Sequence, residues 1–119
     1  MRDFSFSKAD RIRKRFDFIR IGKTGKKLQN RHFILCYSKG LTEKSRLGIT
    51  VTKKVGNAAK RNRIKRISRE FYRLNRHKIN GTWDMNIIAK RESVQTTSIE
   101  LFQSLENIFS RIANHLETE

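Results

Sequence analysis

The chain has 119 residues and a formal net charge of +17, with 28 Lys and Arg against 11 Asp and Glu. That length allows one domain over residues 1–119, and the charge favours a polyanionic partner, above all nucleic acid. A single cysteine, Cys36, excludes a disulfide framework, and because no apolar segment has the length of a membrane span or a signal peptide, we expect a cytoplasmic protein without a membrane partner.

The first predicted element is a short helix over residues 8–20, for which Ser7 is a suitable N-cap. Apolar residues recur there at i, i+4 and i+7, and this spacing predicts one buried helix face with three members: Ile12, Phe16 and Ile19. Gly22 and Gly25 follow, and we expect them to end the helix.

Two strands are predicted before the middle of the chain. Residues 32–38 (HFILCYS) are rich in β-branched and aromatic side chains, and residues 46–52 (RLGITVT) alternate apolar with small or polar side chains. One face of the second strand is therefore expected to be buried. The other face is open and carries small side chains at Gly48, Thr50 and Thr52.

A basic helix is predicted over residues 58–76, with Asn57 as its N-cap. Nine of the 21 residues from 53 to 73 are Lys or Arg, and Glu70 alone opposes them. One side of the helix is apolar at four positions: Ile64, Ile67, Phe71 and Leu74. A solvated face ordinarily mixes both signs of charge, so the opposite, basic side is expected to contact an anion.

A third strand is predicted over residues 83–89, followed by an amphipathic, acidic helix over residues 98–116. The order is α-β-β(-β)-α-β-α, with one optional strand. It predicts an α+β, two-layer sandwich in which the helices pack on a mostly antiparallel central sheet. No His, Cys or carboxylate groups have the spacing of a metal site or of a nucleophile and its base. We therefore expect no catalytic residue in the protein. Whether the protein binds a metal is not indicated by the sequence.

The segment from Gly48 to Glu70 resembles the signature of the bacterial ribonuclease P protein subunit, with Arg61-Asn62-Arg63 at its centre. The likeness extends to Asp17-Phe18, to Asn30-Arg31, and to Asp84 with residues 87–90. The resemblance implies a subunit that assists a catalytic RNA in removing the 5′ leader from precursor tRNA. These two RNAs are then the partners, Mg²⁺ is bound mainly by the catalytic RNA, and no obligate protein partner is expected. A left-handed β-α-β crossover around the basic helix is implied as well.

Two RNA-binding surfaces follow from the resemblance. The surface for the catalytic RNA comprises Lys54, Arg61, Asn62, Arg63 and Arg66. The surface for the precursor tRNA leader is a cleft that comprises Phe18, Thr50, Thr52, Lys53, Lys65 and Arg69. Family members often carry aromatic residues where this chain has Gly22 and Cys36, so leader stacking is expected to be weaker here.

Two other functions account for part of the pattern. A ribosomal or other structural RNA-binding protein of similar α+β fold would explain the charge, but not the Arg-Asn-Arg signature. An autonomous protein nuclease would need a cluster of carboxylates, which the sequence lacks.

Overall fold

A computed structural model describes residues 5–117, with side chains described through residue 112. Its elements are α1 (Arg15–Thr24), β1 (Lys26–Gln29), β2 (Phe33–Lys39), β3 (Arg46–Thr50), α2 (Ala58–Asn75), β4 (Trp83–Ala89) and α3 (Ser98–Glu117). The strands form one sheet in the order β1-β2-β4-β3. Among these four strands, only β3 and β4 pair in parallel. The α+β class, the order of elements and the mostly antiparallel sheet are confirmed, and β1 is the optional strand.

The main hydrophobic core lies between one face of the sheet and the helices α2 and α3. β2 and β4 supply core side chains from alternate positions: Phe33, Leu35, Tyr37, Met85 and Ile87. α1 covers part of the opposite face, where Ile21 packs with Ile12 and Cys36. The sheet therefore forms a sandwich with α2 and α3 and carries α1 on its other side.

The first helix begins later than the sequence predicted, at Arg15 instead of residue 8. Ser7 caps only a 3₁₀ turn, and its N–H and hydroxyl donate to Asp10 Oδ2 at 2.8 and 3.0 Å. Arg11 is extended and forms a parallel bridge with Leu47, and the Ile12 N–H donates to the Leu47 carbonyl at 3.1 Å. This contact with the edge strand β3 keeps the chain out of a helix, and sequence periodicity does not reveal it.

The predicted buried face of α1 was also wrong. Phe16 and Ile19 are 70% and 44% exposed, whereas Ile21 is fully buried. Gly22 lies inside the helix, which continues to Thr24 and ends at Gly25. A Cβ at Gly25 would lie 2.4 Å from the Ile21 carbonyl oxygen, so this close approach requires glycine.

The basic helix α2 begins as predicted, with Asn57 Oδ1 accepting a hydrogen bond from the Lys60 N–H at 2.9 Å. Its anchoring stripe differs at the C-terminal end. Leu74 is 37% exposed, whereas Tyr72 is 1% exposed and packs against Phe109 at a centroid distance of 6.1 Å. The contact with α3 thus rotates the buried stripe toward Tyr72.

The remaining boundaries agree closely with prediction. β4 spans the predicted residues, β2 and α3 differ by one residue, and β3 ends at Thr50, two residues early. Helix α2 joins the adjacent parallel strands β3 and β4, and the left-handed sense of this crossover stays a prediction. Within residues 5–117 no helix is both long enough and apolar enough to cross a membrane.

Candidate nucleic-acid interface

A cleft of about 180 Å³ opens at the edge strand β3, between α1 and α2. We call it the Phe18 cleft, and its principal lining residues are Phe18, Arg11, Gly48, Lys65 and Arg69. Lys65 and Arg69 are one helical turn apart on α2, so both cations lie on the same side of that helix. The cleft therefore combines an aromatic ring from α1 with two cations from α2.

The position of the Phe18 ring depends on the absence of a side chain at Gly48. A Cβ at Gly48 would lie 2.4 Å from Phe18 Cε1 and 2.7 Å from Cζ. The ring therefore packs directly on the backbone of β3, and any larger residue at position 48 would displace it. This contact explains why the open face of β3 carries a glycine at its centre.

The structure brings only part of the predicted leader surface together. The Thr50 hydroxyl donates to Asn86 Oδ1 at 3.0 Å, which gives a partner to the amide oxygen of a residue that is 8% exposed. Thr52 and Lys53 are exposed at the end of β3 and in the turn that follows. None of these lines the Phe18 cleft, whereas three predicted residues do: Phe18, Lys65 and Arg69.

A buried ion network fixes α1 to the sheet beside the cleft. Asp84 on β4 is fully buried, and it accepts hydrogen bonds from Arg46 on β3 and from Arg20 on α1. Asp17, which precedes Phe18, lies 3.3 Å from Arg20 and 3.6 Å from Arg46. Burial alone would raise the pKa of Asp84, but the two guanidinium groups outweigh it and hold this pKa below its ordinary value.

The Arg-Asn-Arg segment lies in the first turns of α2, where the helix dipole is positive. No acid occupies the first turn of this helix. Each cation there therefore interacts unfavourably with the helix dipole, at a cost of about 0.3–1 kcal/mol. Asn62 and Arg66 are exposed, and Arg61 is half-buried. Arg63 is held in place, because its Nη2 donates to the Thr96 carbonyl at 2.8 Å. An anion bound at this end would offset the dipole.

Two residues of the Phe18 cleft, Phe6 and Arg11, were not predicted from the sequence to lie there. The Arg11 guanidinium carbon lies 5.1 Å from the centroid of the Phe6 ring, and Nη2 donates to the Phe6 carbonyl at 3.3 Å. Both side chains line the Phe18 cleft. In the sequence Arg11 is one of several basic residues near the start, and only the bridge to Leu47 shows which of them reaches the cleft.

The strand β2 supplies no second aromatic ring to the cleft, either at Cys36 or at the neighbouring Tyr37. Cys36 is 3% exposed, and burial raises the pKa of its thiol. Tyr37 points to the opposite face of the sheet, where its ring meets Trp83 edge-on at 5.2 Å. Among the described residues, no three His, Cys, Asp or Glu side chains form a group that could hold a metal ion.

Comparison with known proteins gives one consistent family. The ribonuclease P family profile matches residues 6–113. A ribonuclease P protein component from Desulfatibacillum aliphaticivorans is 46% identical over 113 residues, covering 95% of this chain and 96% of that protein. The structure of the Staphylococcus aureus RNase P protein superposes with a TM-score of 0.82 at 38% identity, covering 87% of this chain and 94% of the other. The Thermotoga maritima RNase P protein gives a TM-score of 0.79 at 36% identity, covering 86% and 96%.

Proposed function

Because the chain belongs to the ribonuclease P protein family, and so is a subunit of a tRNA-processing endoribonuclease that partners the ribonuclease P RNA, we propose a specific division of labour within that enzyme. The protein binds the 5′ leader of precursor tRNA in the Phe18 cleft and the catalytic RNA at the N-terminal end of α2. Hydrolysis itself is carried out by the RNA. The observation that carries this proposal is the meeting of Phe18 with Lys65 and Arg69 in one cleft.

The chemistry of the Phe18 cleft suits a single-stranded RNA of variable sequence. An aromatic ring can stack on any base, and cations one helical turn apart can follow the phosphates. The Phe18 ring is held in position, because it packs on the backbone of Gly48 and because the Asp84 network fixes α1 to the sheet. The leader would therefore be bound without selection of its bases.

Helix α2 would bring the two RNAs close together. Arg61 and Arg69 are eight positions apart, which corresponds to about 12 Å along the helix axis. Two polyanions at that separation repel each other strongly, and the cations of α2 lie between them. The net charge of +17 lowers this repulsion.

Mg²⁺ would be bound mainly by the catalytic RNA, where it supplies activation of the attacking water. The protein's contribution is electrostatic. Since its cations replace part of the charge neutralisation that free Mg²⁺ otherwise provides, we expect less Mg²⁺ to be needed in its presence.

The test is cleavage of precursor tRNA by a bacterial catalytic RNA at low Mg²⁺, with and without this protein. We expect cleavage to require the RNA, to be restored at low Mg²⁺ by the protein, and to be accompanied by tighter binding of precursor tRNA than of mature tRNA. Equal affinity for the two tRNAs would contradict leader binding. Cleavage by the protein without the RNA would contradict the assignment of catalysis to RNA.

A further inference from the structure

A second, larger cleft of about 940 Å³ lies on the α3 side of the molecule and shares no lining residue with the Phe18 cleft. We call it the α3 cleft. It is bounded by the turn between β1 and β2, the turn that leads into α2, the turn after β4, and the first half of α3. The side chains used in the following argument are Arg31, Lys54, Lys60, Arg91, Gln103 and Asn107.

Helix α3 presents a polar stripe to this cleft, although its sequence reads as an ordinary amphipathic helix. The stripe follows i, i+3, i+4, i+7 spacing: Glu100, Gln103, Ser104 and Asn107. The core face of the helix lies about a third of a turn around its axis: Leu101, Leu105, Ile108 and Ile112. Uncharged amides and a hydroxyl occupy most of the polar stripe, and these groups can both donate and accept hydrogen bonds.

The wall of the α3 cleft is held in a fixed position. Asn30 Nδ2 donates to the Ser104 carbonyl at 2.9 Å and to Asn107 Oδ1 at 3.2 Å. His32 Nδ1 lies 3.0 Å from Ser104 Oγ. These contacts tie the β1–β2 turn to α3 and hold the Asn107 amide in place, so the cleft wall has little freedom to move. Such preorganisation lowers the entropy cost of binding a ligand.

The cations of the α3 cleft have no partner within the described part of the chain. Arg31, Lys54 and Arg91 come from three different turns, and Lys60 comes from the first turn of α2. None of the four makes a side-chain hydrogen bond or ion pair among residues 5–112. Glu92 and Glu100 line the same cleft but do not neutralise them. A cleft that collects unpaired cations beside the Gln103 amide and the Nδ2 donor of Asn107 is suited to a ligand with both an anionic group and a hydrogen-bonding edge.

We propose that the α3 cleft binds one unpaired nucleotide of the catalytic RNA, with its phosphate against Arg31, Lys54 and Lys60. The edge of its base contacts Gln103 and Asn107. This inference rests on the proposed function, because Lys54 also belongs to the surface expected to bind that RNA. An unpaired nucleotide is required because side chains cannot reach the deep major groove of an A-form helix, whereas an unstacked base exposes its edges.

The composition of the α3 cleft also separates it from the leader cleft. It is lined by amides, cations and two carboxylates and by no Phe, Tyr or Trp among the described residues. His32 lines it as well, but hydrogen-bonding groups predominate, so recognition there depends mainly on hydrogen bonds. Glu92 and Glu100 repel a second phosphate. Their oxygens can accept hydrogen bonds from the amino groups that adenine, cytosine and guanine carry and uracil lacks. We therefore expect a base preference in the α3 cleft and none in the Phe18 cleft.

A site-specific crosslink tests the location. Cys36 is 3% exposed, so a thiol-reactive photo-crosslinker attaches selectively to a Gln103→Cys variant. In the complex with the catalytic RNA, we expect it to react with one short unpaired stretch. A Glu106→Cys variant is the control, because that side chain is exposed on the same helix but outside the α3 cleft. An absent crosslink, a crosslink to paired RNA, or the same pattern from both positions would overturn the proposal.

Affinity measurements test the chemistry. We expect Arg31→Gln combined with Gln103→Ala to weaken binding of the catalytic RNA about tenfold, while the preference for precursor over mature tRNA is unchanged. Arg15→Gln is the control, since Arg15 is equally an exposed arginine and lies in neither cleft. If the double variant binds like the control, the α3 cleft is not a nucleotide site. If the wild-type chain itself fails to bind the catalytic RNA, the proposed function fails first, so the two failures are distinguishable.

Discussion

The guanidinium group of Arg46 donates two hydrogen bonds to the Asp84 carboxylate, from Nε to Oδ1 at 3.0 Å and from Nη2 to Oδ2 at 2.8 Å. The two residues are direct partners in the parallel pairing of β3 with β4, and Asp84 is fully buried. Arg20 of α1 binds the same carboxylate. One buried anion therefore joins two strands to the helix that carries Phe18.

Replacement of this anion should destabilise the fold substantially. Asp84→Asn leaves the half-buried Arg46 and Arg20 with only the Asp17 carboxylate, 3.6 and 3.3 Å away, as a counter-charge. Loss of one partner from a buried pair costs about 3 kcal/mol or more. We expect a correspondingly lower free energy of unfolding in urea. Glu70→Gln is the matched control: its ion pair with Arg73 is as short, at 2.7 Å, but lies on the exposed side of α2. A loss of similar size in both variants would show that burial is not the cause.

Stability should decline in acid, and Asp10 is expected to contribute. Burial raises the pKa of Asp10, but hydrogen bonds from Ser7 and the charge of Arg76, 2.8 Å away, together lower it below its ordinary value. A carboxylate with a lowered pKa in the fold stabilises it above the unfolded pKa of about 3.9, and this contribution is lost as the pH falls through the folded value. Urea unfolding should therefore show the difference between wild type and Asp10→Asn shrinking below about pH 4. A difference independent of pH would contradict this.

Phe18→Ala should reduce the affinity for precursor tRNA about tenfold, because one base loses its stacking partner. Binding of mature tRNA should not change, since it has no leader. Phe16→Ala is an informative control. Phe16 is 70% exposed on the same helix but does not line the cleft. Equal losses for the two variants would indicate a nonspecific effect of apolar surface on α1.

Gly22→Phe should tighten binding of precursor tRNA several-fold. Position 22 follows Phe18 by one helical turn, and a Cβ there would meet nothing within 4 Å, so a second ring has space beside the first. Gly22→Ala separates this effect from helix propensity. It should stabilise the fold by about 0.5–1 kcal/mol without altering tRNA affinity. Unchanged affinity for Gly22→Phe would mean that the leader does not pass this side of α1.

Arg61→Ala should weaken binding of the catalytic RNA and flatten its dependence on salt. Each phosphate contact that is lost reduces the slope of log K against log salt by about one unit or slightly less. Arg73→Ala provides the comparison, because Arg73 already pairs with Glu70 and lies farther along α2. An unchanged slope for Arg61→Ala would remove this residue from the RNA contact surface.

Much of the fold could be predicted because its signals are local. The strand over residues 83–89 and the start of α2 at Asn57 follow from alternation and from a capping side chain. The segment before Arg15 could not be predicted in the same way. Its helical spacing is real, but Ile12 bonds to Leu47, a residue far away in sequence, and this tertiary contact overrides the local preference.

In the candidate site, too, local features could be predicted and contacts between distant residues could not. The sequence identified the cations of α2 and the ring of Phe18, but it gave no indication that Phe6 and Arg11 join them or that Thr52 and Lys53 lie elsewhere. Because helical angle is fixed at about 100° per residue, the relative direction of Lys65 and Arg69 could be worked out in advance. The distance from either cation to a ring on another helix could not.

The sequence by itself determined the nature of the partner and the family. An excess of cations and the Arg-Asn-Arg segment are properties of the chain in order, independent of how it folds. Only the tertiary structure decided which groups share a cleft. The Phe18 ring meets Gly48, and the amides of α3 share a cleft with cations from three turns and from α2, because the packed fold brings residues distant in sequence together. The periodicity of a sequence predicts the direction of a side chain on its own helix or strand. Which side chains of different elements come into contact is decided only when those elements pack together.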